Sequence, residues 1–171
     1  MAWHIRSLFH FILPCTNVER SMAFYANFGF TVIKDNRDIQ WPDRVGTMFR
    51  MQPGAQGRAV QLVLPNAGEL QTRIDLIEWI KPRWKNRDTA GSLDEQFPRV
   101  IALLTHNIRE AFDDLVKRGL TPTMPLHPPE PGLGSLGVCA FVDPDGHIVE
   151  LTEFVPGQLG SRTDDLPKRR S

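Results

Sequence analysis

The sequence predicts an α+β protein made of two tandem strand–helix–three-strand (βαβββ) modules that share one cavity. Three observations carry this. First, an apolar strand, a capped amphipathic helix and a glycine stop occur twice, as His10–Phe24-Tyr25…Gly29-Phe30 and as Val100–Phe112…Gly119-Leu120. Second, both copies close alike, with Ile74-Asp75-Leu76-Ile77-Glu78-Trp79 and Val149-Glu150-Leu151-Thr152-Glu153-Phe154. Third, each closing segment carries acids among apolar residues, which points to a small-molecule site between modules.

In the first module, Leu8 to Leu13 is an apolar run of strand length. Thr16-Asn17-Val18-Glu19 offers capping oxygens, and Met22, Tyr25 and Phe28 follow at helical spacing. Gly29 ends that helix because it tolerates left-handed dihedrals. Phe30–Ile33 is extended, and Val45–Met51, Ala59–Leu64 and Arg73–Ile80 read as strands. In the second module, Val100–Thr105 is a strand, Asn107-Ile-Arg-Glu110 opens a helix, and Gly119 closes it. Thr121–Met124, Val138–Val142 and His147–Phe154 complete the set, with Asp143-Pro-Asp-Gly146 as a type I turn. The expected boundaries are a first module at 1–81, a polar linker at 82–98, a second module at 99–155 and a solvated tail at 156–171.

Composition narrows the function. Lys+Arg and Asp+Glu balance at 20 each in 171 residues, so no global field favours nucleic acid or an anionic membrane. No apolar run approaches a membrane span, and the first residues lack a signal peptide's apolar core. A cytoplasmic protein is the default expectation. Cys15 and Cys139 read as small buried residues, not as a disulfide framework or zinc site. Nucleotide-binding glycine motifs and a catalytic-serine elbow are missing.

His10 with Asn17 seven residues on, Ser21-Met-Ala-Phe-Tyr25…Gly29-Phe30, and Asp143-Pro-Asp-Gly146…Glu150-Leu151 together resemble the vicinal oxygen chelate superfamily. This is the glyoxalase/bleomycin-resistance/extradiol dioxygenase fold. The resemblance covers most of residues 6–155 and implies paired βαβββ half-barrels around a pocket, and a homodimer. It also implies one divalent metal, held by the first and last strands of each module, that chelates vicinal oxygens of a substrate. His10, Asp75 and Glu150 fall on three of these ligand positions, with Asp75 where such proteins often carry Glu or Gln. Val100 occupies the fourth and cannot bind metal. Asp is one methylene shorter than Glu, leaving Asp75 about 1.5 Å short of a Glu-sized site. One imidazole and two carboxylates suit zinc, nickel, manganese or iron(II), with water completing the sphere. An iron dioxygenase is disfavoured because Val100 removes one His of its usual triad.

Strand parity puts Ile12, Ile77, Trp79, Val100, Ala102, Leu104, Thr152 and Phe154 on the ligand face, as pocket wall or core. The same parity turns Glu78 and Glu153 away, and Glu78, Glu153 and His147 are expected at the surface or rim. His127 is expected in a loop, and segments 34–44 and 126–137 are candidates to cover the pocket mouth. The leading reading is a glyoxalase-like lyase or isomerase for a small oxygenated molecule. Glu150 would act as metal ligand or as the general base next to a carbonyl, with its pKa raised by a dry pocket. The alternatives are a metal-free protein that sequesters a small molecule, and a metal-free enzyme using Glu150 or Asp75 alone.

Overall fold

Two four-stranded sheets, each with a helix on one face, make up the computed structural model. It describes residues 10–43, 46, 50–65, 71–83, 100–127 and 135–154. The chain divides into unit 1 (1–89) and unit 2 (90–171). Unit 1 runs β1 (His10–Cys15), α1 (Val18–Ala26), β2 (Thr31–Asp35), β3 (Gln56–Val63) and β4 (Arg73–Lys81). Unit 2 runs β5 (Val100–Leu104), α2 (Ile108–Lys117), β6 (Pro122–His127), β7 (Ser135–Val142) and β8 (Ile148–Phe154). The strand orders are β1-β4-β3-β2 and β5-β8-β7-β6, so the first and last strands of each unit lie side by side in parallel.

The registers confirm the duplication. Leu13 pairs with Leu76 as Leu103 pairs with Leu151. Ile12 pairs with Asp75 as Ala102 pairs with Glu150. Both helices stop by the same device. Gly29 (φ 85°) and Gly119 (φ 91°) take left-handed backbone, and the next N–H reaches back five residues: Phe30 to the Tyr25 carbonyl and Leu120 to the Leu115 carbonyl.

Both helix starts are held from the closing strand. The Glu78 carboxylate accepts from the Val18 N–H at 3.2 Å, and Glu153 accepts from the Asn107 and Ile108 N–H groups at 2.8 and 2.9 Å. Asn17 adds its own cap, accepting from the Arg20 N–H at 2.8 Å. Asn107 adopts left-handed backbone (φ 55°) and makes no side-chain cap. Glu78 and Glu153, expected at the surface or rim, thus also serve as helix caps supplied from 60 and 45 residues away.

The helix-side core of unit 1 buries Val18, Ser21 and Tyr25 of α1, along with Leu13, Cys15, Val60, Leu62, Ile74 and Leu76. In unit 2, Ile108 and Leu115 of α2 are buried with Cys139, Phe141, Val149 and Leu151. Both cysteines are buried, and neither forms a disulfide.

Three further expectations change. Within the strand expected over 45–51, the described residues are turn-like: Gly46 is helical and its carbonyl accepts from the Met51 N–H at 2.8 Å. The three strands after α1 are instead β2, β3 and β4. His127 lies in β6, paired with Val138. His147 is buried at 3% exposure, because Asp143 folds the turn inward and accepts from both the Asp145 and His147 N–H groups. The expected Asp143–Gly146 turn is closed by the Gly146 N–H to the Asp143 carbonyl at 3.1 Å. The expected linker at 82–98 and the tail lie almost wholly outside the described residues.

Glu78→Ala removes the cap on α1 and a partner of Arg58, and is expected to cost about 1 kcal/mol. That corresponds to a melting temperature lower by about 2–4 °C, measured by thermal denaturation.

Candidate functional site

The open face of unit 1 is the sheet face opposite α1, and strand alternation decides what stands on it. Leu76 and Ile74 point to the helix, so Arg73, Asp75, Ile77 and Trp79 point away. Across the sheet the register places Ile12, Asp75, Gln61 and Lys34 in one row. His10 is opposite Arg73, one step diagonal to Asp75.

Asp75 is the chemically unusual member. It is half-buried, and its Oδ1 is shut off from water with no hydrogen-bond partner among the described residues. Burial pushes its carboxyl above the ordinary Asp value. The His10 charge, the neighbouring Gln61 amide and the Lys34 charge oppose that shift without cancelling it. His10 is also half-buried, with Nδ1 enclosed. A buried carboxyl oxygen beside an imidazole has the chemistry of part of a metal site, or of an acid whose neutral form is favoured by burial.

The far end of the same face is closed. Trp41 folds over it and forms a buried cluster with Ala55, Ala59, Ile77 and Trp79, against which Ile12 and Met51 pack. The two indoles meet edge to face, 5.3 Å between centroids. Gln56 fixes this cover by a reciprocal pair with the Trp41 backbone: Trp41 N–H to Oε1 and Nε2 to the carbonyl, both 2.9 Å. Ile77 and Trp79 thus sit in a covered aromatic layer, and Ile12 borders it.

In unit 2, Glu150 stands on the sheet face away from α2, half-buried between Ala102 and Ala140. Its Oε1 accepts from the Thr152 hydroxyl at 2.9 Å, so Thr152 orients the carboxylate. Val100, at the position matching His10, is 39% exposed, and Ala102 and Leu104 continue an apolar edge. Phe154 ends β8, and its side chain lies outside the described residues. Cys139 is no nucleophile here: burial, then the Glu150 charge, push its thiol up to about 11. A surface recess lined by His106, Asn107, Arg109 and Lys117 follows α2, on the opposite side of the sheet from Glu150. Among the described residues, no three His, Cys, Asp or Glu side chains are grouped to hold a metal ion.

Gln61 and Lys34 were not singled out in the sequence. Gln61 had a signal, as the lone polar residue in the strand Ala59-Val60-Gln61-Leu62-Val63. Lys34 had none, because its placement depends on a bulge against β3.

Residues 7–151 match the family model of the Glyoxalase/Bleomycin resistance protein/Dioxygenase superfamily. A glyoxalase family protein from Bacillus cereus is similar in structure, with a TM-score of 0.69 at 17% identity, over 89% of this chain and 96% of that one. TnmS3, an antibiotic binding protein from Streptomyces sp. CB03234, gives 0.59 at 20% identity, over 90% and 100%. A Glu-to-Gln mutant of the fosfomycin resistance protein FosX from Listeria monocytogenes, complexed with Mn(II) and 1S,2S-dihydroxypropylphosphonic acid, gives 0.60 at 19% identity, over 93% and 100%. At such identities the likeness is one of fold. No curated protein sequence matches the chain. Among the described residues, no helix is long and apolar enough to cross a membrane.

The raised Asp75 pKa fixes the sign of one pH effect. Folding favours the protonated acid, so this group's contribution is fully present below the ordinary Asp value of 3.8. It is lost as pH rises through the elevated folded-state value. In chelator-treated protein, Asp75→Asn is therefore expected to raise stability near pH 7 by about 1 kcal/mol. Thermal melts from pH 7 down to pH 3 should show that advantage shrinking.

Proposed function

This chain belongs to the glyoxalase/bleomycin resistance protein/dioxygenase superfamily, and from that premise we propose that it is a glyoxalase-like lyase or isomerase acting on a small oxygenated organic molecule. The carrying observation is Asp75: a carboxyl with an enclosed, unpartnered Oδ1 beside His10, on a sheet face that the helix does not cover. Leaving such an oxygen unsatisfied costs about 1–3 kcal/mol, a cost that a ligand, proton or cation would offset.

In this reading Glu150 takes the proton next to a carbonyl, and the Thr152 hydroxyl holds its carboxylate in one orientation. His10, Asp75 and Glu150 would be the donors if a divalent metal binds, and the enclosed Asp75 oxygen favours a cation on the His10 and Asp75 side. A divalent ion would supply Lewis-acid stabilisation of charge developing on the substrate oxygen. The metal-free version of the same chemistry would rest on Glu150 or Asp75 alone. FosX, crystallised with Mn(II), illustrates a metal-loaded member of this fold.

A second reading, sequestration of a small molecule without turnover, is favoured by one observation. Val100 puts an exposed apolar side chain where a fourth ligand would stand. TnmS3 shows that this fold also serves antibiotic binding. A homodimer and a cytoplasmic location are parts of the proposal that come from the family resemblance and the composition.

Elemental mass spectrometry of the purified full-length protein separates the readings. About one metal per chain, lost in a His10→Ala/Glu150→Gln variant, is the expected outcome. No metal after incubation with nickel, zinc, manganese and iron(II) would remove the chelate mechanism. For the enzyme, Glu150→Gln is expected to lower turnover about 10²–10⁴-fold. Unchanged turnover would reject Glu150 as the base.

A further inference from the structure

Resting on the small-molecule reading above, we propose that Lys34 determines specificity by capturing an anionic group of the ligand, a carboxylate or phosphate, whose oxygenated end faces Asp75. The argument starts from register. Val32 pairs with Leu62, so an unbroken ladder would set Ile33 beside Gln61 and Lys34 beside Val60, on the helix side. A bulge between Val32 and Lys34 instead pairs Lys34 with Gln61 and Asp35 with Val60. One inserted residue thus moves the ammonium onto the open face. The row then reads Lys34, Gln61, Asp75.

Charge partners distinguish Lys34 from the helix-side arginines Arg37 and Arg58. On the helix side, Arg37 is paired with Glu19 and Asp35, and Arg58 with Glu19 and Glu78. The Lys34 side chain, on the open face, makes no hydrogen bond or ion pair among the described residues, though its charge is felt at Asp75. Its ammonium remains available to an anion. Two strand intervals separate Lys34 from Asp75, about 9–10 Å between backbones. With the lysine stem folded across Gln61, ammonium and carboxyl bracket a ligand a few bonds long. The Gln61 amide lies between them to meet a polar group. The aromatic cover of Trp41 and Trp79 lies further along the same face. A small hydroxy acid with an apolar substituent matches this order of groups.

Three probes test it by NMR titration of the full-length protein: mandelate, its neutral amide mandelamide, and inorganic phosphate. Mandelate is expected to bind the wild type more tightly than mandelamide does. Lys34→Met should weaken mandelate roughly tenfold, the value of one charge-assisted contact, and leave mandelamide unchanged. Lys34→Arg should retain most of the mandelate affinity. Displacement of mandelate by phosphate would indicate a general oxyanion site, and no displacement a carboxylate site; both uphold the proposal. If Lys34→Met binds mandelate as the wild type does while Asp75→Asn weakens it, the role of Lys34 falls and the functional reading stands. Lys34 would then merely blunt the exposed edge strand β2. If neither mandelate nor mandelamide binds the wild type, both fall together.

Discussion

The arrangement depends on one constraint: each closing strand carries two acids three residues apart, and a strand turns such residues to opposite faces. Glu78 and Glu153 go to the helix side and hold the free N–H groups at the starts of α1 and α2. Asp75 and Glu150 consequently face away from the helices. The capping contact ties helix to strand, which fixes the rotation of β4 and β8. That rotation aims the remaining acids. Unit 1 reinforces its cap with Arg58, which bridges Glu78 and Glu19, and Arg37 extends the bridge to Asp35. These are part-exposed pairs, and their value is more in geometry than in energy.

The two units use the same plan differently. Unit 1 surrounds its open-face acid with polar neighbours, Gln61 and Lys34 across the sheet and His10 on the diagonal, and closes the far end with indoles. Unit 2 flanks Glu150 with Ala102 and Ala140, and supports it with a single hydroxyl from Thr152. A carboxyl in the first setting is held toward its neutral form by burial. The second setting orients the Glu150 side chain beside small neighbours.

Much of this was legible in the sequence because it is local. Helix stops at Gly29 and Gly119, the Asn17 cap, the Asp143–Gly146 turn and the parity of the closing strands all follow from short-range chemistry. What escaped was non-local. The capping role of Glu78 joins residues 60 apart, and no window of sequence displays it. The burial of His147 follows from how Asp143 gathers the turn's N–H groups. The stretch 45–51 has strand-like composition, yet the Gly46 carbonyl accepts from the Met51 N–H, a bond of a turn and not of a ladder. The bulge that positions Lys34 exists only against β3. The pattern of apolar residues tells which face is buried. It does not tell what covers that face.

Gly57 shows how closely this cover is fitted. A methyl group there would stand 2.9 Å from Trp41 Cη2 and 3.2 Å from the Glu78 carbonyl oxygen. The indole therefore rests directly on main chain, using the one site in β3 where the strand presents no side chain. An aromatic ring seated on bare backbone has its depth set by the peptide plane and not by neighbouring rotamers. A side chain at position 57 would lift the indole off the strand and change how much of the face it covers.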